Sequence, residues 1–176
     1  MPLVSIALGL VVVLASVPTA GGYDVLADPL GWALVVAGVA GLTGSTRRGL
    51  LIALAVVAGA VSVVLWLPGL RAQVVSADPA VTWSINLPQV AFIALLLWDL
   101  RDHARASDPP AGRTLTGTTV LVVAVGLAPA VVLGGGLDTL AAGLYVLAGF
   151  VLLTVVVLLF AYSRRDWVPG RHQPTA

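Results

Sequence analysis

The chain has 176 residues, of which 59% are hydrophobic and 10% charged, with a formal net charge of +1. A soluble domain is about half apolar and about a quarter charged, and one of this size cannot hide so much apolar surface, whereas lipid removes the need. The composition predicts an integral membrane protein. It provides no basic face for a nucleic-acid partner, and the absence of cysteine excludes disulfides, thiolate metal sites and thiol catalysis. All nine basic residues are arginine and all eight acids are aspartate, a bias that reads as high-GC codon usage rather than chemistry.

A bilayer core about 30 Å thick takes about 20 residues of helix. Six apolar segments approach or meet that length, at 3–17, 29–43, 49–67, 87–100, 116–133 and 139–162. Their continuity and length favour helix over the alternating pattern of a barrel strand. Valine is abundant and disfavours helix in water, but in lipid the backbone must satisfy its own hydrogen bonds, and that requirement wins. The expected fold is a single all-α domain, a six-span transmembrane bundle built as three in-out-in hairpins.

The first segment, MPLVSIALGLVVVLASVPTA, has the apolar length of a signal-peptide core, but no basic residue precedes it. Pro18 also stands where a cut after Ala20 would want a small residue, so a retained span is expected. The next connection, PTAGGYDVLAD, holds Asp24 and Asp28 and no arginine. Asp28-Pro29 is a helix-start signal, since a capping aspartate accepts from the first-turn N–H groups and proline suits the first helical position. Capping accounts for the pair better than a carboxylate site for a cation or proton. Asp78-Pro79, before the fourth span, repeats the signal, and Asp138-Thr139 is a looser version. Asp24, Asp28 and Asp78 are thus the candidate outer-loop binding residues. Trp32 and Trp83, just inside their spans, fit an interfacial aromatic belt.

Arginine sets the orientation. Arg47 and Arg48 follow the second span, Arg101, Arg105 and Arg113 the fourth, and Arg164, Arg165 and Arg171 the sixth, leaving Arg71 alone on the other connections. The positive-inside rule then places both termini in the cytoplasm. The stretch LLLWDLRDHARASDPP reads as a helix running past the headgroups, with Asp99 and His103 as surface neighbours and Trp98 at the inner interface. His103 and His172 read as solvated cytoplasmic residues. The echo between VLADPLGW and VSADPAVTW, and fainter GGGLDTLAAGLY, is what three hairpins from one ancestral unit would leave.

Mid-span chemistry is sparse: Ser5, Ser62 and Thr154 are the polar residues there, and carboxylates that mark ion paths are missing. Pro129 is expected to kink the fifth span and free a carbonyl, as a packing kink or as the lining of a cavity. Ala37/Gly41, Ala40/Gly44 and Ala55/Gly59 carry the small-residue spacing of close helix packing. The sequence holds no nucleophile elbow, phosphate loop or zincin helix.

The run Asp24-Val25-Leu26-Ala27-Asp28-Pro29-Leu30-Gly31-Trp32 resembles a D-x-L-x-D-x-x-G-[WY] signature of small multi-pass bacterial membrane proteins, with Ala27 where that group usually has proline. The resemblance implies a span opening at the motif and implies no activity. The expected role is non-enzymatic: a structural, accessory or partner-binding subunit of a bacterial plasma membrane. It would have the lipid bilayer, and a membrane protein or a second copy, as partners, with neither metal nor cofactor. A small permease or channel component with an uncharged path is the runner-up, and a lipid-modifying enzyme comes third.

Overall fold

Long apolar runs satisfy their backbone internally only by coiling, and all the regular structure among the described residues is helical. The computed structural model describes residues 1–15, 28–75, 79–134 and 140–170. Six long helices are α1 (Pro2–Leu14), α2 (Asp28–Ala40), α3 (Arg48–Trp66), α6 (Leu87–Ala104), α7 (Pro109–Gly134) and α8 (Ala141–Tyr162). Two short ones, α4 (Pro68–Val75) and α5 (Pro79–Ser84), lie between α3 and α6. Arg48–Trp66, Pro109–Val132 and Gly143–Tyr162 are long and apolar enough to cross a membrane. The apolar helices α1 and α2 have 13 residues each, about 20 Å at 1.5 Å per residue.

The six long helices form a ring in chain order. Each packs on the next, from α1·α2 through α2·α3, α3·α6, α6·α7 and α7·α8, and α8 returns to α1. The core fills the ring with Leu3, Ile6 and Leu10 of α1, Trp32 and Val35 of α2, Phe92 and Leu96 of α6, and Val155 and Leu159 of α8. Trp32 is 2% exposed and meets Phe92 edge to face, with ring centroids 5.5 Å apart, an arrangement suited to the aromatic quadrupole. The interfacial-belt expectation for Trp32 is therefore wrong. Gly59 of α3 admits the indole, since a Cβ there would stand 3.1 Å from the Cβ of Trp32.

The closest backbone approach joins α1 to α2. A Cβ on Gly31 would lie 2.7 Å from the carbonyl oxygen of Gly9, and one on Gly9 would strike the carbonyl of Gly31. One turn pair further along, a Cβ on Gly38 would lie 2.6 Å from Ile6 Cγ1. Ser5 Oγ adds a cross-helix bond, donating to the Leu34 carbonyl at 2.9 Å. Close van der Waals contact and occasional interhelical hydrogen bonds are what holds helices together in lipid. The seam thus uses Gly9, Gly31 and Gly38 rather than Ala37, which is exposed.

Other boundaries differ from expectation for local reasons. The fifth span starts at Pro109 rather than residue 116, because prolines are tolerated in a helix's first turn. Pro129 does not end α7, which continues to Gly134. The long connection after α3 carries α4 and α5 instead of unbroken loop.

The seam yields a direct test. Gly31→Val should cost about 1–3 kcal/mol, the range for forcing atoms into a packed contact. Gly143→Val, at a position where a Cβ meets nothing within 4 Å, should leave thermal unfolding in detergent almost unchanged.

Candidate functional site

Arginine side chains and their aspartate partners gather at one end of the ring, and a cavity lies at the other. At one end the tail around Gly170 packs on Gly41 and Pro2, so both ends of the described chain meet the connection after α2. Arg47, in that connection, reaches α6, where its Nη1 donates to Asp102 Oδ2 at 2.8 Å. Arg165, beyond α8, pairs with Asp108 Oδ2 at 3.7 Å. The three arginine-rich connections are thereby drawn together.

Asp99 lies at the centre of this end. It is fully buried, and neither carboxylate oxygen has a hydrogen-bond partner among the described residues. Its nearest nitrogen groups are Arg47 Nη1 at 3.6 Å and His103 Nδ1 at 3.9 Å. The Asp99 backbone carbonyl lies 2.8 Å from His103 Nδ1. A carbonyl can only accept, so Nδ1 carries the proton and Nε2 is the ring's remaining nitrogen. The expectation that Asp99 is a surface neighbour of His103 fails. The helical spacing was right, but the face carrying Asp99 turns into the ring.

Arg101 ties α6 to α7. Its Nε donates to Thr116 Oγ1 at 3.0 Å, and that hydroxyl donates to the Gly112 carbonyl at 2.8 Å. The guanidinium also stacks over Trp98, 4.1 Å from the ring centroid, a cation–π contact. Asp102 accepts a 3.4 Å bond from Arg101 and pairs with Arg105 at 3.8 Å.

Asp108-Pro109 shows the capping chemistry that the sequence attributes to the other Asp-Pro pairs. Asp108 Oδ1 accepts from the Ala111 N–H at 3.2 Å, two residues after a proline that has no N–H to offer. Its other oxygen accepts from Trp167 Nε1 at 3.3 Å, so one side chain caps α7 and anchors the tail. Sequence reasoning passed over this residue although the Asp-Pro pair was the signal. Asp28 begins α2 and supplies the acid in its first turn. Asp24, Asp78, Asp138 and His172 fall outside the described residues.

At the opposite end lies a cavity of about 380 Å³ between α5, α6, α7, α8 and Leu14 of α1. Its polar lining is Trp83, Asn86, Gln89 and Tyr145; its deeper wall is Ile93, Val122 and Val155. Trp83 is half-buried and donates Nε1 to the Gly126 carbonyl at 2.8 Å. Pro129, one turn on, lacks the N–H that the neighbouring Val125 carbonyl would receive in an unbroken ladder. Pro129 itself lines the cavity, the second of the two roles expected for it. Gly126 keeps α7 close to α6, since a Cβ there would lie 2.5 Å from Val90 Cγ1.

What this geometry defines is an all-helical bundle with three helices long and apolar enough to span a membrane. Comparison with models of known protein families, with curated proteins and with solved structures finds no match.

Removing Arg47 would strand a buried carboxylate beside water-accessible histidine. Arg47→Ala should therefore cost on the order of 3 kcal/mol, the low end for breaking a buried pair, because Arg47 is itself 34% exposed. Asp99→Leu in the same background should recover most of that loss, since an apolar side chain needs no partner. Thermal unfolding of the two single variants and the double variant measures the coupling.

Proposed function

We propose that the chain is a six-span integral protein of a bacterial plasma membrane, with both termini in the cytoplasm and a non-enzymatic role. It acts as a structural, accessory or partner-binding subunit. Support for the six spans comes from the ring, in which α1, α2 and α6 complete the circle begun by the three long apolar helices. Support for the orientation comes from the gathering of Arg47, Arg101, Arg105 and Arg165 at one end, which cytoplasmic placement would satisfy.

The observation that carries the non-enzymatic reading is the separation of the ion-paired end from the cavity. Arg47, Asp99, Arg101, Asp102 and Asp108 are tied into helix-to-helix contacts. The cavity lies at the other end, and among the described residues its lining offers tyrosine, tryptophan and two amides but no carboxylate or histidine. Such a lining suits binding better than proton transfer or nucleophilic attack.

The cavity also bears on the runner-up, a permease with an uncharged path. On α7 its lining begins at Val122 and ends at Val132, within a helix that starts at Pro109. A pocket that occupies one half of the bundle favours binding over passage.

In either reading, coupling to a proton or sodium gradient lacks an ionisable carrier near mid-span. Purified protein in liposomes should show no solute uptake that depends on an imposed pH or sodium gradient. Gradient-driven uptake abolished by Asp28→Asn would replace the accessory reading with a coupled transporter.

A further inference from the structure

We propose that the cavity holds one hydrocarbon chain of a membrane lipid, drawn from the leaflet opposite the arginine end. The inference rests on the membrane-spanning reading above and adds the ligand. Its first support is shape. The lining runs along the helices, from Leu144 to Val155 on α8 and from Val122 to Val132 on α7. At 1.5 Å per residue these stretches cover about 15–17 Å, roughly half of a hydrocarbon core about 30 Å thick. The cavity is therefore one leaflet deep and runs parallel to the chains of that leaflet.

The second support is the distribution of polarity. Asn86 and Gln89 stand at the start of α6, and Tyr145 at the start of α8, all at the end of the cavity away from the arginines. The lining further in is Ile93, Val122, Val151 and Val155. A lipid shows the same gradient, with ester and headgroup oxygens at the membrane surface and methylenes beneath. The amide N–H groups of Gln89 suit a lipid carbonyl, and the valine wall offers nothing to a polar solute. A water-filled cavity would leave that wall hydrated at a cost of roughly 25 cal/mol per Å², which a chain removes.

The third support is access. Tyr145 and Ala148 line the cavity and are exposed on α8, so the space meets the surface on a helix that is apolar enough to face lipid. Gly149, between them and the deep wall, also lines the cavity, and a Cβ added there meets nothing within 4 Å. A larger side chain at this position has room to occupy the space that the chain would fill.

The test uses the full-length protein in liposomes of phosphatidylcholine carrying a photoactivatable diazirine on one acyl chain. After illumination, adducts are mapped by peptide mass spectrometry. The cavity residues Val122 and Val151 should carry adducts alongside the exposed Val131 and Val157. Gly149→Phe, or the smaller Gly149→Leu, should abolish adducts at Val122 and Val151 and leave those at Val131 and Val157 unchanged.

Adducts confined to Val131 and Val157 in the unaltered protein would overturn the inference, whether protein or water fills the cavity, and would leave the membrane reading intact. Adducts at Val122 and Val151 that persist in a folded Gly149→Phe protein would overturn it too. If Val131 and Val157 also stay unlabelled, the membrane reading fails and this inference with it. The adduct map does not depend on which face of the membrane is cytoplasmic.

Discussion

The fold depends on how closely α1 and α2 approach. Lipid tails are as apolar as leucine, so helices in a bilayer gain little from burying oil and are held by contact at short range. Gly9 and Gly31 bring two backbones together where any side chain would collide with a carbonyl. That contact sets the position of the next residue, Trp32, whose indole reaches Phe92 across the ring. Gly59 of α3 closes on the other side of the same indole. Three helices and the centre of the core thus follow from one pair of glycines.

The charged end solves a different problem. Six helices that pack mainly with their neighbours need fastening at their ends, and the connections supply it. Arg47 spans from the α2–α3 connection to α6, Arg101 from α6 to α7, and Asp108 from the start of α7 to the tail. Each of these contacts joins elements that are separated in the chain or meet only through a turn. Burying the Asp99 side chain costs stability by itself, and Arg47, 3.6 Å away without a hydrogen bond to it, offsets that cost only in part. At the opposite end Trp83 ties α5 to α7 through the Gly126 carbonyl, and the cavity is found there.

Helix existence was legible in the sequence because apolar runs of this length have few alternatives in lipid. The six long helices fall on the six expected segments. What the sequence hid was direction around each helix axis. In a helix that is apolar on all sides, no polar stripe marks the outward face, so Trp32 looked like a belt residue and Asp99 like a surface one. The same blindness made Ala37/Gly41 as plausible a seam as Gly9 and Gly31. Asp108 was missed for a different reason: Asp28-Pro29 and Asp78-Pro79 adjoined apolar runs, whereas Asp108-Pro109 opens a polar first turn that reads as loop. The cavity had one local signal, Pro129, and its other walls come from helices far apart in sequence.

The central claim is that charge faces the cytoplasm and the cavity lies toward the opposite side. The chain has no cysteine, so single cysteines can be introduced without background. Ser107→Cys, in the turn between α6 and α7, and Gly143→Cys, at the start of α8, probe the two ends. A membrane-impermeant maleimide applied to intact cells should label Gly143→Cys and spare Ser107→Cys until the membrane is broken. Labelling of Ser107→Cys in intact cells, with Gly143→Cys protected, would contradict the account.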